Sequence, residues 1–135
     1  MKKVIILLVV LVCAVNLLTA CGSDSIDGVY RYTGGIMNGY SADDVNSKGA
    51  CYLFFNSDKT YKIYEISGDD CHELEGKWDE AYFYFKDLPL TYEYKKGILT
   101  MRNATDPSRY CPVFTKAKDS EEIKKIEDDI AKASK

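Results

Sequence analysis

Residues 50–67 read ACYLFFNSDKTYKIYEIS. On both sides of NSDK, large apolar or aromatic residues alternate with others, and Asn, Ser and Asp are turn formers. A strand turns successive side chains to opposite faces, so two alternating runs around a short polar turn read as a β-hairpin.

The pattern extends both ways from this hairpin. Upstream lies GVYRYTG (28–34). Downstream, GDD leads to CHELEGKW (71–78), DEA to YFYFK (82–86), and DLP to LTYEY (90–94). KKG then leads to ILTMRN (98–103), and ATDPS to RYCPVFTK (109–116). Closely spaced short strands with turn signals predict an antiparallel barrel or sandwich. No helix-length segment separates the strands after the second, so a meander is the expected topology. The one long connection, 34–49, contains Ser41, a candidate cap for a single helical turn over ADDVN.

The end of the chain, DSEEIKKIEDDIAKASK (119–135), reads as a helix. Asp119 or Ser120 caps it, Glu121 and Glu122 favour its first turn, and Ile123, Ile126 and Ile130 form one narrow apolar stripe. The stripe is expected to dock on the outside of the sheet. The fold class expected is all-β: an eight-stranded antiparallel up-and-down barrel with a C-terminal α-helix packed outside.

The start of the chain is different material. Lys2 and Lys3 precede an apolar run, Val4 to Val15, and Leu17-Leu18-Thr19-Ala20-Cys21 closes it. A basic start, an apolar stretch and small residues at the end form a secretory signal. Leu18-Thr19-Ala20-Cys21 resembles the bacterial lipobox, and this resemblance implies cleavage before Cys21 and a diacylglycerol on its sulfur. The domains expected are thus a cleaved signal at 1–20, a lipidated Cys21 with a short tether at 21–27, a barrel at 28–118 and a helix at 119–135. Several acyl chains hold a protein far more firmly than one. The expected location is the extracytoplasmic face of a cell membrane, with the lipid bilayer as a partner through acylated Cys21.

Loss of Lys2 and Lys3 moves the net charge from −3 to −5, since every carboxylate lies beyond residue 20. This balance argues against nucleic acid as a partner, because that requires clustered Lys and Arg. The eleven tyrosines all remain, and so aromatic-rich a chain folds. It reads as a monomer.

The layout of eight meandering strands, a long first connection and a final helix resembles a small lipocalin-like (calycin-type) barrel. Gly28-Val29-Tyr30 stands where lipocalins carry Gly-x-Trp, and Gly76-Lys77-Trp78 lies on the fourth strand. The resemblance covers about residues 28–130. It implies a barrel with one plugged end, an open mouth, and the 34–49 connection as a lid over that mouth.

Strand polarity maps these positions. If the first strand begins at the bottom, Tyr30, Trp78 and Phe114 fall there as a plug. Residues 22–27 span at most roughly 20 Å at ~3.4 Å each, which brings the tether to the same end. Taking Leu53, Phe55, Tyr61, Ile63, Leu74 and Trp78 as inward, alternation adds Tyr30, Tyr32, Tyr92 and Tyr94. For residues 82–86 either Tyr82 and Tyr84 or Phe83 and Phe85 face in. A tyrosine-rich interior suits an apolar ligand with polar edges. An eight-stranded barrel is also just wide enough for side chains to fill it, and both interiors stay open at this point. The candidate ligand-binding residues are Tyr32, Tyr92 and Tyr94 inside the upper barrel and Tyr40 in the lid.

Three cysteines besides Cys13 and Cys21 fall near the top: Cys51, Cys71 and Cys111. Export permits disulfides, but three thiols allow one bridge and a leftover. Spacing and parity dictate no pair, and Cys51–Cys71 is the candidate disulfide. Asp43, Asp44, Asp69, Asp70, Asp106 and His72 also gather at the top, but without a metal-ligand spacing, so no metal or other cofactor is expected. No catalytic motif stands in its structural context, and the chain is not read as an enzyme. The first expected function is binding of a small amphipathic ligand in the barrel. The alternative is a non-catalytic protein-interaction module, an envelope scaffold or an inhibitor of an extracellular hydrolase.

Overall fold

The computed structural model describes residues 25–135, so Cys13, Cys21 and the lipobox lie outside the described residues. Ten strands and two helices follow in order. They are β1 (Gly28–Gly34), β2 (Ile36–Met37), β3 (Tyr40–Ser41), α1 (Ala42–Lys48), β4 (Gly49–Phe55), β5 (Thr60–Ser67) and β6 (Asp70–Lys77). Then come β7 (Phe83–Phe85), β8 (Leu88–Lys95), β9 (Ile98–Arg102), β10 (Val113–Lys116) and α2 (Ser120–Ala133).

Eight of the strands form one antiparallel sheet in the order β6-β5-β4-β1-β10-β9-β8-β7. Each strand pairs with its neighbour in the meander, and β1 also pairs with β10, Tyr32 standing opposite Phe114. The result is an all-β, eight-stranded, nearly closed barrel with a C-terminal helix, as the alternation predicts. All of these strands lie within residues 28–116, and the core they enclose also takes in Ile26.

Closure is incomplete at one seam. β7 has three residues against eight in β6, and they meet at the single bridge Trp78–Phe83. A side chain extends the closure: the Tyr61 hydroxyl donates to the Tyr84 carbonyl at 2.7 Å.

Trp78 seals the bottom. Its indole stacks on Phe55 at 4.3 Å between centroids, its Nε1 donates to the carbonyls of Asn56 and Thr60, and Lys59 Nζ lies 4.1 Å above the ring. Tyr30 is fully buried beside Phe55 and donates its hydroxyl to the Ile26 carbonyl. Phe83 and Phe85 turn inward while Tyr82 and Tyr84 face solvent, which settles the face of that strand. Phe83 fills the barrel between Phe55 and Tyr61. Burying each such ring contributes ~1.5–3 kcal/mol.

The C-terminal helix docks outside, on residues of opposite parity to the core. Asp119 caps it by accepting from the Glu122 amide, and Ile126 is its buried residue. Arg31 pairs with Glu122 at 2.8 Å, and the Tyr52 hydroxyl donates to Asp129 at 3.2 Å.

Cys51, Cys71 and Cys111 are all free thiols, which corrects the lean toward a Cys51–Cys71 bridge. Cys51 stands opposite Glu65 and Cys71 opposite Ile66, one residue apart along β5 and therefore on opposite faces of the sheet.

Candidate functional site

At the top of the barrel the chain leaves β1 through Gly34 and Gly35. Gly35 has φ +71°, and a Cβ there would lie 2.0 Å from the Cys111 carbonyl oxygen. Only glycine allows this conformation together with so close an approach. β2 and β3 then form a small hairpin whose turn is Asn38-Gly39, both at positive φ, the sequence that suits a type I′ turn.

Ser41 ends the hairpin and starts α1. Its hydroxyl accepts from the Asp44 amide while Asp44 accepts from the Ser41 amide, each at 3.2 Å, a reciprocal capping box. The Ser41 hydroxyl also donates to the Asp44 carboxylate at 2.6 Å, and this bond, followed by that from the Ser41 amide, holds the carboxyl below its ordinary range. The expected cap at Ser41 is therefore present, and the helix runs two residues past ADDVN.

The lid is fastened on both sides. Toward the 103–112 loop, the Gly39 amide donates to the Arg109 carbonyl at 3.2 Å and the Cys111 amide to the Ile36 carbonyl at 2.8 Å. The Asn38 side-chain oxygen accepts from the Tyr110 hydroxyl at 3.1 Å. Toward the barrel, the Tyr32 hydroxyl lies 3.0 Å from the Gly35 carbonyl and 3.1 Å from that of Tyr40. Asn46 donates to the Tyr32 carbonyl at 3.0 Å. Burial pushes the Tyr32 hydroxyl up to about 12, with the nearby Cys51 and Cys111 thiols adding to the shift. Met37 and Ala42 go into the core beneath the lid.

With the mouth covered and rings filling the centre, open space lies beside the lid. Between α1 and the upper ends of β4 and β5 is a recess of about 320 Å³. Met37, Tyr40, Val45, Ala50 and Ile66 give it apolar walls, and Asp44, Lys48 and Glu65 bring charge to it. This size is at the lower end of the ~300–1,000 Å³ common for small-molecule sites.

The structure divides the four tyrosines singled out from the sequence. Tyr40 lines the recess and is 57% exposed. Tyr32 lies below the lid, with its hydroxyl engaged by lid carbonyls. Tyr92 and Tyr94 belong to the lower half, which corrects their placement at the mouth. Tyr92 lies against Phe55 and Trp78, and its hydroxyl donates at 2.5 Å to the carbonyl of Asp79 in the bottom turn. Tyr94 packs on Tyr30. β8 begins two residues earlier than the alternation suggested, so Leu90 takes the upper inward position.

Glu65 was not singled out from the sequence, although a signal existed. The inward series Tyr61, Ile63, Glu65 ends on a charge, which an ordinary core position does not accept. Glu65 stands opposite Cys51 on one side and His72 on the other. Its charge and the burial of Cys51 push that thiol up, burial being the larger effect. Among the described residues no group of three or more His, Cys, Asp or Glu is placed to hold a metal ion. No described helix is long and apolar enough to cross a membrane.

The chain matches no family model, no curated protein and no solved structure.

Proposed function

We propose that this protein is a membrane-anchored extracytoplasmic lipoprotein, held through acylated Cys21, that binds a small amphipathic ligand without catalysis. The ligand occupies the recess beside the lid, not the barrel centre. The observation that carries this reading is the recess itself: a concave, mainly apolar surface with a few charged groups at its edge. The buried rings leave the centre to side chains.

Residues 25 and 26, the first described after the proposed anchor, lie at the end opposite the recess. Lys116 Nζ and the Tyr30 hydroxyl donate to the carbonyls of Ser25 and Ile26 at the Trp78 end. A chain tethered there presents the recess away from the bilayer, to soluble molecules.

Native mass spectrometry of the secreted domain tests the proposal. A co-purified small molecule, at lower occupancy in a Tyr40→Ala variant, is the expected result. A bare mass, together with no saturable uptake of an apolar fluorescent probe, would overturn it. One observation favours the second reading, a protein-interaction module: Tyr40 is the most exposed large hydrophobic residue among those described, on a lid fastened to the barrel. Such a rigid, protruding aromatic is suited to a protein partner.

A further inference from the structure

The charges around the recess specify more than an amphipathic ligand. The segments at this end carry Asp43, Asp44, Asp69, Asp70 and Asp106. Within the recess, Asp44 and Glu65 are opposed by Lys48. Lys48 lies one turn from Asp44 on α1 and helps hold that carboxylate in its charged form. Asp44 is already bonded by Ser41, whereas Glu65, half-buried at the top of β5 on the face that looks into the barrel mouth, forms no ion pair among the described residues. Tyr40 lines the same recess and is 57% exposed. An aromatic face and a carboxylate are the two surfaces that attract an organic cation, the ring through its quadrupole.

Resting on the recess reading above, we infer that the ligand is cationic: an apolar body carrying an ammonium head, the body against Met37, Val45 and Ile66 and the head between Tyr40 and Glu65. An anionic amphiphile of the same length meets the acidic rim and is disfavoured.

The test compares octyltrimethylammonium with octyl sulfate by calorimetric titration of the secreted domain. Both are kept below micelle formation, at low salt and the same pH. The ammonium should bind about fivefold tighter, the size of a weakly screened surface charge effect. Glu65→Gln should bring the two to within about twofold, and Tyr40→Ala should weaken the ammonium about threefold. Glu93→Gln, a neutralisation on the far outer face of β8, should change neither.

Equal or tighter binding of the sulfate overturns the cationic assignment and leaves the recess reading standing. An equal loss of preference in Glu93→Gln also overturns it, because the preference then belongs to net charge. No saturable binding of either amphiphile removes the recess reading, and this inference with it.

Discussion

Tyr61 occupies the space above Gly76. The two face each other across β5 and β6, and a Cβ on Gly76 would come within 2.6 Å of the Tyr61 ring. The glycine lets the ring cross β6, and the hydroxyl then reaches the Tyr84 carbonyl on the far side of the seam. One tyrosine thus links three strands where backbone pairing fails.

Gly76→Ala should therefore destabilise the domain by ~1–3 kcal/mol, the usual cost of overpacking a filled site. Tyr61→Phe keeps the ring and should cost ~1 kcal/mol for the hydrogen bond. Urea titration of both variants checks this. A neutral Gly76→Ala would mean that the ring moves aside freely and does not close the seam.

Trp78→Ala should cost ~3–5 kcal/mol, the range for deleting a buried aromatic. Removing Lys59 from above the indole should cost much less, ~0.5–1 kcal/mol for an exposed cation–π contact. Denaturant midpoints of Trp78→Ala and Lys59→Ala test the order. A Trp78→Ala loss near zero would put the plug elsewhere.

The alternation in 50–67 and its extensions made the barrel legible, because inward Leu53, Phe55, Tyr61 and Ile63 are large while their neighbours accept solvent or the helix. Ser41 was legible as a cap from its side-chain chemistry. Tyr92 was misplaced because Pro89 reads as a turn residue, whereas Lys86 and Asp87 make the turn, both at positive φ. Pro89 pairs with Tyr84 inside β8, a position that proline rarely takes. In 82–86 four aromatic rings alternate with one another, so period two could not choose a face. The recess joins residues 37–48 to 65–67 across the barrel rim, a distance in sequence that local pattern does not span.

Alkaline pH should reveal two engaged hydroxyls. Burial raises Tyr32 and Tyr61 to about 12 in the folded chain, against ~10 for an unfolded tyrosine. A native state that favours the protonated form contributes its full stability below the unfolded value. This contribution declines as pH climbs from about 10 toward 12, where the unfolded chain has released protons and the folded one has not. Denaturant midpoints at pH 9, 10 and 11 should fall, and Tyr32→Phe should flatten the fall. The same slope in both proteins would mean that Tyr32 does not titrate late.

Cys21→Ser should block lipidation and leave the precursor unprocessed, since serine lacks the thiolate that is alkylated. Metabolic labelling with a palmitate analogue, read alongside precursor mass, checks it. Normal maturation and labelling of the variant would remove the lipobox from the reading of residues 1–21.

The lid gives the last prediction, because its fastening and the recess depend on the same residues. Gly35→Ala places a methyl 2.0 Å from the Cys111 carbonyl oxygen at a φ of +71°, so the contact between Ile36 and Cys111 must open. That contact lies outside the barrel sheet, in which β1 and β10 pair below it. The barrel should stay folded while the lid loosens. Hydrogen exchange should then quicken at Gly39 and Cys111, whose amides bond across this contact, and stay slow at Leu53 and Ile63 in the sheet. Met37, Tyr40 and Val45 reach the recess from the lid. The variant should therefore lose ligand binding far beyond its loss of global stability. If exchange quickens at the lid and binding is unchanged, the site does not depend on the lid, and the recess is not where the ligand sits.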